Sequence, residues 1–282
     1  LERSCCWGSA GAAAGVRAMA AEEAVKFEKR GHVAVFTLDR PSAMNAVNGA
    51  VSAQMEAHLE AFEADDDLWI GVVESSHPKV FCAGADLKAV SKRENIVTKK
   101  GGFAGLVGFP RSKPLIAAVD GMALAGGCEI VLSCDLVVAS AKSSFGVPEV
   151  KRSLIPAAGG LFRLPAKIPH AVAMEMILTG DPITCRRAAE LGLVNEVVEE
   201  AGRQNVLSAA FRLAERISAN APLAVREAKA CVDEMTTLGQ DQANLQRSNR
   251  GMAMLAKTPD YKEGPLAFIE KRAPRWTGRS KL

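Results

Sequence analysis

Two short glycine-containing turns carry the clearest chemistry in this sequence. They are Phe81-Cys82-Ala83-Gly84-Ala85-Asp86 and Ala125-Gly126-Gly127-Cys128-Glu129, and each follows an apolar run and leads into a helical one. The first four N–H groups of a helix have no internal acceptor and lie at the positive end of its dipole, so such turns suit an oxygen that gains negative charge. Two donors from different turns would make an oxyanion hole. The competing reading is that small residues simply let strand and helix approach closely. Other catalytic signatures are missing: there is no G-x-S-x-G elbow, no G-x-x-x-x-G-K-[ST] phosphate loop, no G-x-G-x-x-G and no H-E-x-x-H. His32, His58, His77 and His170 are dispersed, which disfavours a histidine metal site or a Ser-His triad. Backbone amides and carboxylates remain.

The elements that must position these turns read as α/β. Apolar runs at 33–38, 70–73, 115–119 and 136–139 are rich in Val, Ile or Ala and predict strands. Between the first two, Val51, Met55, His58, Leu59 and Phe62 recur at helical spacing and predict a helix over 47–64. After about residue 201 the strand signal disappears. Leu207, Ala210, Phe211, Ala214 and Ile217 mark one helix, and Pro222 suits the first turn of another. The run from 241 to 272 reads as helical, broken near Thr258-Pro259 and again near Gly264-Pro265. The expected organisation is a disordered extension over 1–20, an α/β core carrying the site over 21–200, and a helical oligomerisation region over 201–282.

Composition narrows the class of function. A net charge of +3 over 282 residues, with Lys and Arg scattered, offers neither a nucleic-acid stripe nor a polybasic membrane patch. The longest apolar stretch, 114–140, contains Asp120, Glu129 and Asp135, so a bilayer span would bury three carboxylates. Seven cysteines, Cys5, Cys6, Cys82, Cys128, Cys134, Cys185 and Cys231, form no C-x-x-C pair and are odd in number, which indicates a reduced, intracellular protein. Residues 1–18 lack a hydrophobic period and read as read-through, an expression remnant or a trimmed presequence, with Met19 the expected start. The last three residues, Ser280-Lys281-Leu282, match the address read by the peroxisomal import receptor. The expected location is peroxisomal, with mitochondrial or cytoplasmic placement as alternatives.

Three segments together carry a resemblance: Phe81 to Asp86, Gly121-Met122-Ala123-Leu124-Ala125-Gly126-Gly127-Cys128-Glu129, and Phe145-Gly146-Val147-Pro148-Glu149. With Arg40-Pro41-Ser42-Ala43-Met44-Asn45-Ala46 before them and the Ile183 to Leu193 segment after, the chain resembles an enoyl-CoA hydratase of the crotonase superfamily from about 22 to 272. The resemblance implies a ClpP/crotonase-like spiral of repeated ββα units with a C-terminal helical subdomain. It implies that the amides of Ala85 and Gly126 bind the thioester oxygen, and that Glu129 and Glu149 move protons. Which glutamate is acid and which is base stays open. It further implies contacts to the coenzyme A portion of the substrate from Ala83, Asp86, Leu87, Lys88, Phe268 and Lys271, no metal, no separate cofactor, and a homotrimer or homohexamer. Taken singly, Glu129 also reads as a first-turn helix acid, and Glu149 as a solvated loop acid beside Lys151 and Arg152.

Related reactions share the fold, so the site residues must choose among them. Simple enoyl-CoA isomerases generally rely on one of the two carboxylates, and both are present here. A dienoyl-CoA isomerase typically shows an acid eight residues past the second glutamate, where this chain has Ala157. Both points favour addition of water to a 2-enoyl-CoA to give a 3-hydroxyacyl-CoA, as in fatty acid β-oxidation. Val147, Lys151-Arg152-Ser153 and Ala157-Ala158 depart from the short-chain pattern. They resemble stretches of bacterial-type hydratases and carnitinyl-CoA dehydratases, which leaves open a polar or branched acyl group. The remaining alternatives are an isomerase and, from another class, a non-catalytic RNA-binding relative, against which the mild charge argues.

Overall fold

Apolar residues on alternate sides of four parallel strands organise the molecule. The computed structural model describes residues 23–237, 245–246, 249–253 and 256–273. The expected extension at 1–20 and the tripeptide at 280–282 lie outside the described residues. A six-stranded sheet contains, in spatial order, β1 (Val25–Arg30), β2 (Val33–Leu38), β3 (Ile70–Ser75), β7 (Leu115–Val119), β9 (Leu136–Ser140) and β12 (Glu196–Val198). Only β1–β2 is antiparallel; the other pairs are parallel. A second sheet has the order β11 (Ile183–Thr184), β10 (Ser144–Gly146), β8 (Met122–Leu124), β4 (Val80–Cys82). A two-stranded ribbon joins β5 (Val97–Thr98) to β6 (Gly102–Phe103).

The chain winds through both sheets. Three times it passes from a strand of the large sheet to a strand of the small sheet and then into a helical turn. The first passage is β3, β4 and α2 (Leu87–Ser91), and the second is β7, β8 and α3 (Gly126–Ser133). The third is β9, β10 and a 3-10 turn, Pro148–Arg152. Because β4, β8 and β10 are neighbours, the three strand-to-helix junctions lie side by side at one end of the small sheet. This is the crotonase-type ββα spiral. The two glycine turns and Glu149 occupy equivalent junctions in its successive turns.

Both faces of the large sheet are covered, as a parallel sheet requires. On one face Val33, Ile70, Val72, Ile116, Ala118 and Val138 meet Val206, Leu207, Ala209, Ala210 and Ala214 of α7 (Arg203–Ser218). On the other, Phe36, Leu38, Val73, Leu115, Ala117 and Val119 join Val51, Met55, Leu59 and Phe62 of α1 (Gly49–Ala64). Burying one large aliphatic or aromatic side chain contributes about 1.5–3 kcal/mol, so these two interfaces dominate the stability. An ion pair fixes the start of α7: Arg203 Nε donates to Glu74 Oε2 at 2.6 Å, and Glu74 is 2% exposed at the end of β3.

The 47–64 expectation becomes α1 at Gly49–Ala64, since Asn48 stays extended and accepts from Val51 N at 3.0 Å as an N-cap. α8 (Pro222–Thr237) starts at the proline that suited a first turn. The tail needs one correction. Thr258 does cap a new helix with Pro259 in its first turn, but this helix, Pro259–Ile269, continues through Gly264-Pro265. Proline removes a single N–H donor there, and the packing of buried Gly264 and Ala267 outweighs that loss.

Candidate active site

The first junction is locked on both sides. Val47 N donates to Gly84 O at 2.8 Å and Asp86 N donates to Val47 O at 2.9 Å, a parallel bridge centred on Ala85. In that pattern the N–H of the central residue points away from the partner strand. Asp86 caps α2, accepting from Lys88 N at 3.0 Å and Ala89 N at 3.3 Å, and its other oxygen pairs with Arg40 at 3.2 Å. The second junction begins at Ala125, whose φ of 52° and ψ of −130° are unusual for a residue with a Cβ. Such backbone strain persists only where the surroundings enforce it. Ala125 N donates to Gly146 O at 2.9 Å, and its carbonyl accepts from Cys128 N and Glu129 N, which leaves the Gly126 N–H outward. Among the described residues neither Ala85 N–H nor Gly126 N–H donates to a protein acceptor.

The two junctions touch. A Cβ added at Gly84, where φ is +94°, would lie 2.8 Å from Ala125 Cβ and 3.1 Å from Gly126 N. Glycine there brings the two outward amides together. Three residues after Gly126, on the same helical face, stands Glu129, 3% exposed, whose Oε1 accepts from Gly160 N at 2.9 Å. Gly160 begins α4 (Gly160–Lys167). Glu149 sits in the first turn of the 3-10 element at the third junction and is 9% exposed; its Oε2 is buried with no hydrogen-bond partner among the described residues.

The glutamates sit in unequal surroundings. Burial is the main force raising the Glu129 carboxyl above the usual carboxylate range, opposed by hydrogen bonds from the Gly160 and Ala158 amides and by the positive charge of Arg163. Burial also raises Glu149, and the negative charge of Glu129 raises it further, opposed only by a hydrogen bond from its own backbone amide. Donors and a cation thus favour the ionised form of Glu129, while Glu149 favours its proton. Burial pushes the Cys82 thiol up to about 12; burial, then the charges of Glu149 and Glu129, push Cys128 higher still. Neither thiol is a thiolate nucleophile at neutral pH.

The remaining expected contacts divide into two groups. Ala83, Asp86 and Leu87 are half-buried around the first junction, with Lys88 exposed beyond them. Phe268 and Lys271 lie at the end of the last described helix, where the Arg152 guanidinium stands 4.9 Å from the centre of the Phe268 ring. Together with Gly264, Ala267 and Arg272 they line a cleft of about 290 Å³. No hydrogen bond, ion pair or ring contact among the described residues joins this group to Lys88. The solvated reading of Glu149 does not hold: Lys151 turns to Asp181, Arg152 turns to Phe268, and the carboxyl faces inward. Sequence reasoning missed Arg40, Gly160 and Arg163. The Gly159-Gly160 pair was the visible signal for the second, whereas the first and third act through contacts that no local pattern marks. Among the described residues no group of three or more His, Cys, Asp or Glu side chains is placed to hold a metal ion.

Outward amides beside two buried carboxylates make a site suited to stabilising and protonating an enolate. A family model described as enoyl-CoA hydratase/isomerase matches residues 28–279. The carnitinyl-CoA dehydratase of Proteus mirabilis is 36% identical over 256 residues, covering 89% of this chain and 97% of that protein. The short-chain-enoyl-CoA hydratase of Clostridium acetobutylicum is 36% identical over 252 residues, 88% of this chain and 95% of its own length. Among solved structures, the carnitinyl-CoA hydratase from Mycobacterium avium superposes with a TM-score of 0.86 at 46% identity, covering 92% of this chain and 100% of that one. The chain belongs to the enoyl-CoA hydratase/isomerase family of the crotonase superfamily and is a hydro-lyase acting on acyl-CoA thioesters.

Proposed function

We propose that this protein adds water reversibly, in the syn sense, to the double bond of a 2-enoyl-CoA to give a 3-hydroxyacyl-CoA, as a step in fatty acid β-oxidation. The observation that carries this reading is the unequal pair of buried glutamates beside two outward amides. The thioester oxygen lies between the N–H groups of Ala85 and Gly126, which draw electron density from the conjugated β-carbon. Ionised Glu129 takes a proton from water as the water oxygen bonds to that carbon. The double-bond electrons pass into the thioester enolate, and protonated Glu149 delivers its proton to the α-carbon. Both carboxyls act from one face, so the addition is syn. Solvent exchange then returns the proton from Glu129 to Glu149. Each preorganised donor in such a site is worth about 3–4 kcal/mol, and positioned acid-base groups about 10²–10⁴-fold in rate.

Incubating purified protein with a panel of 2-enoyl-CoA thioesters and following loss of the conjugated chromophore tests the reading. Turnover of unbranched members is expected; an unchanged spectrum across the panel, with conversion of a 3-enoyl-CoA, would instead support an isomerase. The likeness to carnitinyl-CoA dehydratases and hydratases supports a second reading, in which the acyl group is polar. Preference for carnitinyl-CoA over an unbranched 3-hydroxyacyl-CoA in the dehydration direction would favour it. Leu223, Val232, Leu266 and Ile269, exposed on the helical tail, support assembly into a homotrimer or homohexamer. A monomer in sedimentation of the purified chain would count against that assembly.

A further inference from the structure

Glycine at position 126 is required by space rather than by backbone conformation. Its backbone is helical, which any residue adopts, and it is not among the positions with positive φ. A Cβ there would stand 2.5 Å from both Cε1 and Cζ of Phe103 and 3.4 Å from Cε2. Outside its own helix, the three nearest atoms thus belong to one aromatic ring. Carbon atoms in ordinary contact lie about 3.5–4.0 Å apart, so the ring tip would have to retreat by about 1 Å to admit a methyl group.

That ring is delivered from a loop with little freedom to retreat. Phe103 lies in β6 and is 8% exposed. The loop is tied to α1 at several points: Glu56 accepts from Thr98 Oγ and from Gly101 N, and Ser52 Oγ donates to Ile96 O at 2.9 Å. Gly108 N closes the loop on Gly101 O at 2.8 Å, and Gly105 packs so closely on α1 that a Cβ there would lie 2.1 Å from Ser52 O. The element that presses on Gly126 is therefore anchored to the main core, directly beside strained Ala125.

We propose that Phe103 is a positioning residue for the oxyanion donor: its ring tip bears on Gly126 and holds that N–H in line with Ala85 N–H. This rests on the hydratase reading above, because an oxyanion must develop for the alignment to matter. Preorganised donors stabilise a transition state only if they need not move to meet it, and a misplacement near 1 Å in an active site costs about 100-fold.

The test compares full-length wild type with Phe103→Leu, Gly126→Ala and the double variant Gly126→Ala/Phe103→Leu. Two quantities are read: kcat and KM for crotonyl-CoA, and the red shift of an electron-rich cinnamoyl-CoA on binding, which reports polarisation of the thioester carbonyl. Phe103→Leu is expected to lower kcat about 10- to 100-fold with KM changed less than about threefold, and to diminish the red shift. Gly126→Ala is expected to lose both signals, and the double variant to recover at least about tenfold in kcat over Gly126→Ala, since the obstructing ring atoms are gone. Wild-type kcat and red shift in Phe103→Leu, or full activity in Gly126→Ala, would overturn the inference while leaving the hydratase reading standing. A wild type inert toward crotonyl-CoA would count against that reading instead, and the red-shift comparison would still decide the role of Phe103.

Discussion

Replacing Glu149 by Gln should make the protein more heat-stable at alkaline pH while removing most of its activity. Glu149 is 9% exposed, its Oε2 has no partner among the described residues, and burial together with the charge of Glu129 raises its carboxyl. A buried polar atom without a partner costs about 1–3 kcal/mol, more when charged, and the neutral amide escapes the charged form of that cost. For a chain of this size each kcal/mol moves Tm by about 2–4 °C, so a gain of roughly 2–12 °C is expected where the wild-type carboxyl ionises. The folded state holds the proton more tightly than the unfolded chain does. Wild-type stability from this group is therefore full below the unfolded carboxylate value and is lost as pH rises through the raised folded value. The Tm gap should be small near about pH 5 and widest near about pH 9. Thermal unfolding by circular dichroism at matched protein concentrations reads it directly. A gap that does not change with pH, or one that favours wild type at the alkaline end, would refute the reasoning.

Two further outcomes follow from the same geometry. The pH profile of kcat/KM should be a bell with both limbs above the ordinary carboxylate range, because burial raises both acids: activity falls on the acid side as Glu129 takes a proton and on the alkaline side as Glu149 loses one. A profile flat across neutral pH and falling only near the usual glutamate value would contradict it. Arg203→Ala should destabilise the fold by about 1–3 kcal/mol in urea unfolding, since it leaves the buried carboxylate of Glu74 without its cation; the cost is below that of a fully buried pair because Thr37 Oγ1 still donates to Glu74 and the Arg203 side chain is 46% exposed. An unchanged unfolding midpoint would show that α7 is held by its apolar face alone.

Four strands of the large sheet were legible in the sequence; β1, six residues of which four are charged, the three-residue β12 and the whole small sheet were not. β2, β3, β7 and β9 are five or six residues long and mostly apolar, so they stand out from their surroundings. β4, β8 and β10 have three residues each, too few for any period to register, yet these strands end at the three junctions that bear the site. The glycine turns were visible as turns, and the family resemblance paired Ala85 with Gly126 and Glu129 with Glu149. What could not be read locally was environment. The charged neighbours of Glu149 suggested solvent, but Lys151 and Arg152 find partners elsewhere and the 3-10 turn carries the carboxyl inward. The division of labour between the glutamates depends on Gly160 and Arg163, contacts that close over some thirty residues of chain. Phe103 bears on Gly126 from a loop held by α1, a relation visible only once both elements are packed.

The central claim is that the two carboxyls act as one unit on a polarised thioester. The most direct measurement is kcat for Glu129→Gln, Glu149→Gln and the double variant on whichever 2-enoyl-CoA the wild type hydrates fastest. Residues that work as a unit are grossly non-additive, so each single variant should lose about 10²–10⁴-fold and the double should be little worse than either. Near-normal turnover by one single variant, or losses that multiply in the double, would contradict the account.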